Sequence, residues 1–245
     1  RSSCESTTPF PDGRRSSIRT LWYDRPMSTK PSSDVLTVNR GDAGPAGEVL
    51  GRAFFDTEQW STLLPDPGVR EEKLIQMFTG TVKLTFAAGG VAERTSGFEA
   101  VALWLPPGKS IGLWPVVKSR FASARFAVTP PFPNMRRMMA TLRQFDESHK
   151  QQMPEPHWYL MALGVDPAHQ HAGHGSALVR WGIRRADADD RPVYLETEAG
   201  ANASFYERLG FEVLDEITIE AIDLLFSLMI RRPQPVRGER PTGVV

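Results

Sequence analysis

Cysteine is almost missing from this chain: its 245 residues include one, Cys4. No disulfide can close within it, and a reducing compartment is the expected setting. No run of about 18 apolar residues occurs, so no segment is suited to cross a bilayer as a helix. The first residues also lack the apolar core of a secretory signal. Charge of one sign is missing too: 29 Lys and Arg balance 29 Asp and Glu, for a formal net charge of +0. Nucleic acid and membrane surfaces are therefore not expected partners, since no basic excess would draw the chain to either. A cytoplasmic globular protein is expected, monomeric or homodimeric.

What is present is a core of about 200 residues between two poorly patterned ends. Residues 1–33 are rich in Ser and Arg, interrupted by Pro9, Pro11 and Gly13, and are expected to be a disordered tail or an upstream segment, with Met27 as the expected natural start. Residues 232–245 hold Pro, Gly and Arg without apolar periodicity and are expected to be a second disordered tail. Between them, 34–231 reads as one domain. A strand is expected at 34–38, helices at 46–55 and 69–78, and an antiparallel meander of strands at 82–88, 91–95 and 98–105, broken by Gly89-Gly90 and Ser96-Gly97. Prolines and Gly112 make 109–133 irregular, with a short helix expected at 118–126. Asn134 is expected to cap an amphipathic helix whose apolar side is Met135, Met138, Met139, Leu142 and Phe145. Then follow a strand at 158–165, a helix at 175–187, a strand at 193–197, a helix at 202–209, and strands near 211–217 and 223–230. The order implies a mixed α/β sandwich with helices on both faces of a central sheet.

The densest signal is Gln170-His171-Ala172-Gly173-His174-Gly175-Ser176, a turn between a strand and a helix. A helix N-terminus presents N–H groups without intrahelical acceptors and the positive end of the helix dipole. Glycines at 173 and 175 let an anion approach the backbone, so the turn suits a diphosphate. After the next strand comes Asn202-Ala203-Ser204-Phe205-Tyr206-Glu207-Arg208-Leu209-Gly210-Phe211.

The two motifs together resemble the acetyl-coenzyme A site of the GCN5-related N-acetyltransferases (GNAT), whose loop reads Q/R-x-x-G-x-G/A and whose later helix carries N-x-x-x-Y-x-x-x-G-F. Over residues 155–211 the chain is most similar to the puromycin N-acetyltransferase branch. The resemblance implies the GNAT fold, an α/β architecture with a mixed, mostly antiparallel sheet, helices on both faces, and splayed strands 4 and 5. It also implies acetyl-CoA as co-substrate and a small-molecule amine as acceptor. Backbone groups of Leu163, Gly164 and Val165 would pair with the pantetheine arm. Gln170, His171, Ala172, Gly173, His174, Gly175 and Ser176 would hold the pyrophosphate, with Asn202 contacting the cofactor. One departure stands out: His171 occupies a position where the family usually has glycine.

Acetyl transfer to an amine needs a proton donor for the departing thiolate and an acceptor for the amine proton. Tyr206 is the candidate acid, since a phenol can protonate a thiolate as the carbon–sulfur bond breaks. Glu196, near the carboxyl end of a strand bordering the acceptor cleft, is the candidate base; Glu198 and His157 are alternatives. The core has no cysteine for an acyl intermediate, which favours direct attack in a ternary complex. His169, His171 and His174 cluster in sequence, but one short loop rarely supplies a fixed coordination set, and no metal is expected. Two other functions fit the same residues: a non-catalytic acyl-CoA-binding regulatory module, or a protein or peptide N-acetyltransferase.

Overall fold

The computed structural model describes residues 34–111 and 134–234; the helix expected at 118–126 lies outside them. Seven strands form one sheet in the order β1-β2-β3-β4-β5-β7-β6. They are β1 Val35–Thr37, β2 Val91–Thr95, β3 Ala100–Leu105, β4 Trp158–Val165, β5 Val193–Glu198, β6 Glu212–Ile219 and β7 Leu224–Arg231. All pairs are antiparallel except β4 with β5. The helices are α1 Ala43–Ala53, α2 Glu58–Leu63, α3 Pro67–Ala87, α4 Met135–Gln152, α5 His174–Ala188 and α6 Ala201–Glu207.

Each face of the sheet has its own core. On one side α1, α2, α3 and α4 bury Leu50, Leu63, Leu74, Val82 and Met138 against Val101, Leu103, Ala162 and Phe226. On the other, α5 and α6 bury Leu178, Val179, Ile183, Ala203 and Tyr206 against Trp104, Leu160, Val193, Leu195 and Met229. Strand alternation does the sorting: Ala100, Ala102 and Trp104 face α5, while Val101 and Leu103 face α1.

Three sequence expectations fail. Residues 82–88 do not form a strand: α3 continues unbroken to Ala87, and the meander is instead β1, β2 and β3. The alternation of Val82, Leu84 and Phe86 was a real β signal, overridden by packing on α1. There Gly47 and Gly51 let the helices approach so closely that an added Cβ at Gly47 would stand 2.7 Å from the Thr79 backbone nitrogen, and one at Gly51 2.9 Å from that of Ile75. Thr81 and Thr85 turn their hydroxyls back onto the Met77 and Thr81 carbonyls, which satisfies these hydroxyls within the helix. Second, Asn134 makes no cap bond; its Nδ2 donates to the Leu63 carbonyl, tying α4 to α2. Third, Met135, Met139 and Leu142 are exposed, and α4 instead turns Met138, Thr141, Phe145 and His149 inward.

Candidate active site

β4 and β5 pair only at Trp158 with Val193 and at Tyr159 with Tyr194. Immediately after, the register between β3 and β4 slips at Leu103/Trp104, leaving Met161 as the extra residue. Such a bulge bends its strand, and β4 turns away from β5. The splaying implied by the resemblance is therefore present. Leu163, Gly164 and Val165 keep their pairs with Ala102, Val101 and Ala100 on one side. Their other side borders the opening, where alternate backbone groups have no strand partner. Gly164 is required by α1: an added Cβ would lie 2.8 Å from Leu50 and 2.9 Å from Ala53.

The chain leaves β4 through a braced corner. Asp166 Oδ1 accepts from the Ala168 N–H at 3.0 Å and Oδ2 meets Arg52 Nε at 2.7 Å, joining the end of β4 to α1. Partial burial would raise this carboxyl, but the Arg52 bond and the Ala168 N–H outweigh it and hold its pKa below the ordinary value. A 3-10 turn, Pro167–His169, precedes Gln170, whose Nε2 reaches back to the Val165 carbonyl. His171 then adopts φ 62, the left-handed conformation that makes glycine the usual residue there, and Gly173 follows at φ 91. An added Cβ at Gly173 would meet nothing within 4 Å, so the loop faces open space. Ala177 N–H bonds to the Gly173 carbonyl, while the N–H groups of Gly175 and Ser176 precede the first helical bond of α5. Gln170, His171, Ala172 and Gly173 are exposed, and His174 and Ser176 half-buried. This is an exposed run of donors at the head of a 15-residue helix, and it fits a diphosphate.

The proposed acid and base come from opposite faces. Tyr206, on α6, packs edge-on against Phe205 and Phe211 in the α5 and α6 core. Burial pushes its phenol above the ordinary value, so it keeps its proton at any working pH. Asn202 is exposed and one residue inside α6, whose N-cap is Gly200.

Glu196 shares the opposite face with Tyr194, beneath the last turns of α4. Its side chain is only 7 % exposed. Burial pushes its carboxyl up to about 7, although Tyr159 and Tyr194 ease its ionisation. Both phenols are pushed up, first by burial and then by the neighbouring carboxylate. Neither Glu196 Oε1 nor the Tyr194 hydroxyl has a hydrogen-bond partner among the described residues. The alternatives sit differently. Glu198 Oε1 accepts from the Gln59 N–H at 3.0 Å and so secures the start of α2. His157 lies against His149, with Nε2 to Nε2 at 2.7 Å, and its Nδ1 is 2.6 Å from the Glu155 carbonyl.

Sequence reasoning did not single out His149, Tyr159, Tyr194 or Arg52. A signal for His149 existed: Met138, Thr141, Phe145 and His149 recur at three- and four-residue steps, but the exposed methionines masked that stripe. Of the loop histidines, His169 and His174 meet edge to face, with 6.3 Å between ring centroids. Among the described residues no group of three or more His, Cys, Asp or Glu side chains could hold a metal, and no helix is long and apolar enough to cross a membrane.

Known proteins agree with this geometry. The model of the acetyltransferase (GNAT) family matches residues 139–211, which span most of α4, β4, the loop, α5, β5 and α6. An uncharacterized N-acetyltransferase of Schizosaccharomyces pombe is 25 % identical over 211 residues, 80 % of this chain and 82 % of that protein. The crystal structure of a histone acetyltransferase HPA2 and related acetyltransferase from Corynebacterium glutamicum superimposes with a TM-score of 0.57 at 26 % identity, covering 83 % of this chain and 97 % of that one. Arylalkylamine N-acetyltransferase 2 of Aedes aegypti shares the fold at 13 % identity and a TM-score of 0.52, covering 82 % and 99 %. The chain thus carries a GNAT acetyltransferase domain and is an N-acetyltransferase with acetyl-CoA as its co-substrate.

Proposed function

We propose that this enzyme acetylates the primary amine of a small molecule by direct attack in a ternary complex, using the opening between β4 and β5. The observation that supports the reading is the opening itself: β4 and β5 pair at only two positions, and Glu196 follows the last of them on β5 by two residues. Acetyl-CoA supplies the activated acyl group. The unpaired edge of Leu163, Gly164 and Val165 pairs with amides of the pantetheine arm as an added strand would. The N–H groups of 170–176 hold the pyrophosphate, and Asn202 contacts the cofactor from the first turn of α6. The amine nitrogen attacks the thioester carbon, the carbon–sulfur bond breaks, Glu196 takes the amine proton, and Tyr206 protonates the thiolate. The catalytic domain is 34–231, with 1–33 and 232–245 outside it. The protein works in the cytoplasm, as a monomer or homodimer.

The resemblance of 155–211 to the puromycin N-acetyltransferase branch makes puromycin the first acceptor to test. The test is release of free thiol from acetyl-CoA across a panel of small primary amines and, in parallel, peptides with free N-termini. Turnover with a small amine, with one acetyl group added by mass, is expected. Turnover with peptides alone would replace this reading by the protein-acetylating one, and saturable cofactor binding with no acceptor consumed would favour the regulatory module. Tyr206→Phe should lower kcat about 10²-fold with little change in acetyl-CoA affinity. Unchanged thiol release would remove Tyr206 as the acid.

A further inference from the structure

The half-buried histidines above Glu196 have fixed proton positions. A main-chain carbonyl can only accept, so the 2.6 Å contact with Glu155 requires the proton of His157 on Nδ1. Neutral His157 then has a bare Nε2, which can only accept from His149 Nε2 at 2.7 Å. Neutral His149 therefore carries its proton on Nε2 and turns a bare Nδ1 toward Glu196 Oε1, 3.8 Å away. Two acceptors face one another there, and Oε1 is the atom left without a partner. The surroundings keep both rings neutral: burial, then the neighbouring His157, pushes His149 down to about 4, and burial lowers His157.

We propose that His149 and His157, with tautomers set by the Glu155 carbonyl, are positioning residues that reserve one proton site between His149 Nδ1 and Glu196 Oε1, and that this site receives the proton of the acceptor amine. The inference rests on the reading of Glu196 as the base. In the step, the amine nitrogen gives its proton to the carboxylate of Glu196, and the new O–H donates to His149 Nδ1. A lone pair aimed at the carboxylate disfavours its charge, so the chain keeps Glu196 ready to accept a proton. The other groups facing the cluster are Tyr159 and Tyr194 on β4 and β5, Asp146 and Lys150 on α4, and Asp215 on β6. The Tyr159 and Tyr194 phenols lie close enough to favour the ionised carboxylate, yet neither completes a hydrogen bond to Oε1.

Nitrogen-15 NMR of the histidine rings in the full chain tests the tautomers without any substrate. At pH 8 His149 is expected with a protonated Nε2 and bare Nδ1, and His157 with the reverse. A proton on His149 Nδ1 at that pH overturns the proposal even when Glu196→Gln is inactive. His157→Phe unlocks His149, which can then donate from Nδ1 to Glu196, and the acid limb of kcat/KM should move down by about one pH unit. In His157→Gln the side-chain carbonyl still accepts from His149 Nε2, and the limb should stay in place; equal shifts in both variants would reduce the pair to packing and overturn the proposal. Full kcat in Glu196→Gln would instead remove the base reading, while the ring tautomers still stand as measured.

Discussion

His171 shows what one side chain costs at a left-handed loop position. Its φ of 62 is open to histidine at a price of about 1–2 kcal/mol, and to a β-branched residue only with greater strain. His171→Gly is expected to bind acetyl-CoA as tightly as the parent or up to about tenfold tighter, while His171→Val should weaken binding about tenfold or more, both read by calorimetric titration. Equal affinity in all three proteins would show that the loop conformation does not govern the cofactor. Glu196 carries a larger cost. Its carboxyl is raised from 4.5 to about 7, so the folded chain holds a proton that the unfolded chain releases. That contribution is present at low pH and is lost as pH rises from 4.5 to about 7. Glu196→Gln should therefore match the parent near pH 4 and exceed it by about 3 kcal/mol at pH 8 in chemical denaturation. A stability difference that does not grow with pH would contradict the burial of this carboxylate.

At the scale of elements, the position of the cofactor loop is set by α5, and α5 is set by Gly182, whose missing side chain makes room for the Trp104 ring. Gly182→Ala is expected to cost about 1–3 kcal/mol of stability and lower the melting temperature, although the change touches no candidate site residue. The same elements show how far the sequence could be read. The loop, Tyr206 and the helix bearing it were legible because turn chemistry and motif lie within a few residues of one another. The β4–β5 opening was reached only through the resemblance: the bulge at Met161 depends on the register with β3, which no local pattern reveals. α3 was misread past residue 78 because its apolar alternation is local, whereas the Gly47 and Gly51 contacts that make it a helix come from 24 or more residues away. His149 was passed over for a related reason. Its inward stripe competes with Met135, Met139 and Leu142, and only the fold shows which side of α4 meets the sheet.

For the molecule as a whole, the proposed roles fall on the two faces of the sheet: the proposed cofactor donors and acid on the side of α5 and α6, the proposed base and its histidines beneath α4. This division predicts a pH profile. With an acceptor amine already neutral at pH 6, kcat/KM should rise about tenfold per unit below pH 7 and level off above it, as Glu196 loses its proton. A flat profile from pH 5 to 9 would exclude a buried carboxylate as the base. The placement of the cofactor is tested most directly by amide hydrogen exchange of the full chain with and without acetyl-CoA. The account predicts slowed exchange concentrated in 163–165 and 170–176, with little change at the β6 edge. No protection in those two segments at saturating acetyl-CoA, or protection confined to another face, would contradict it.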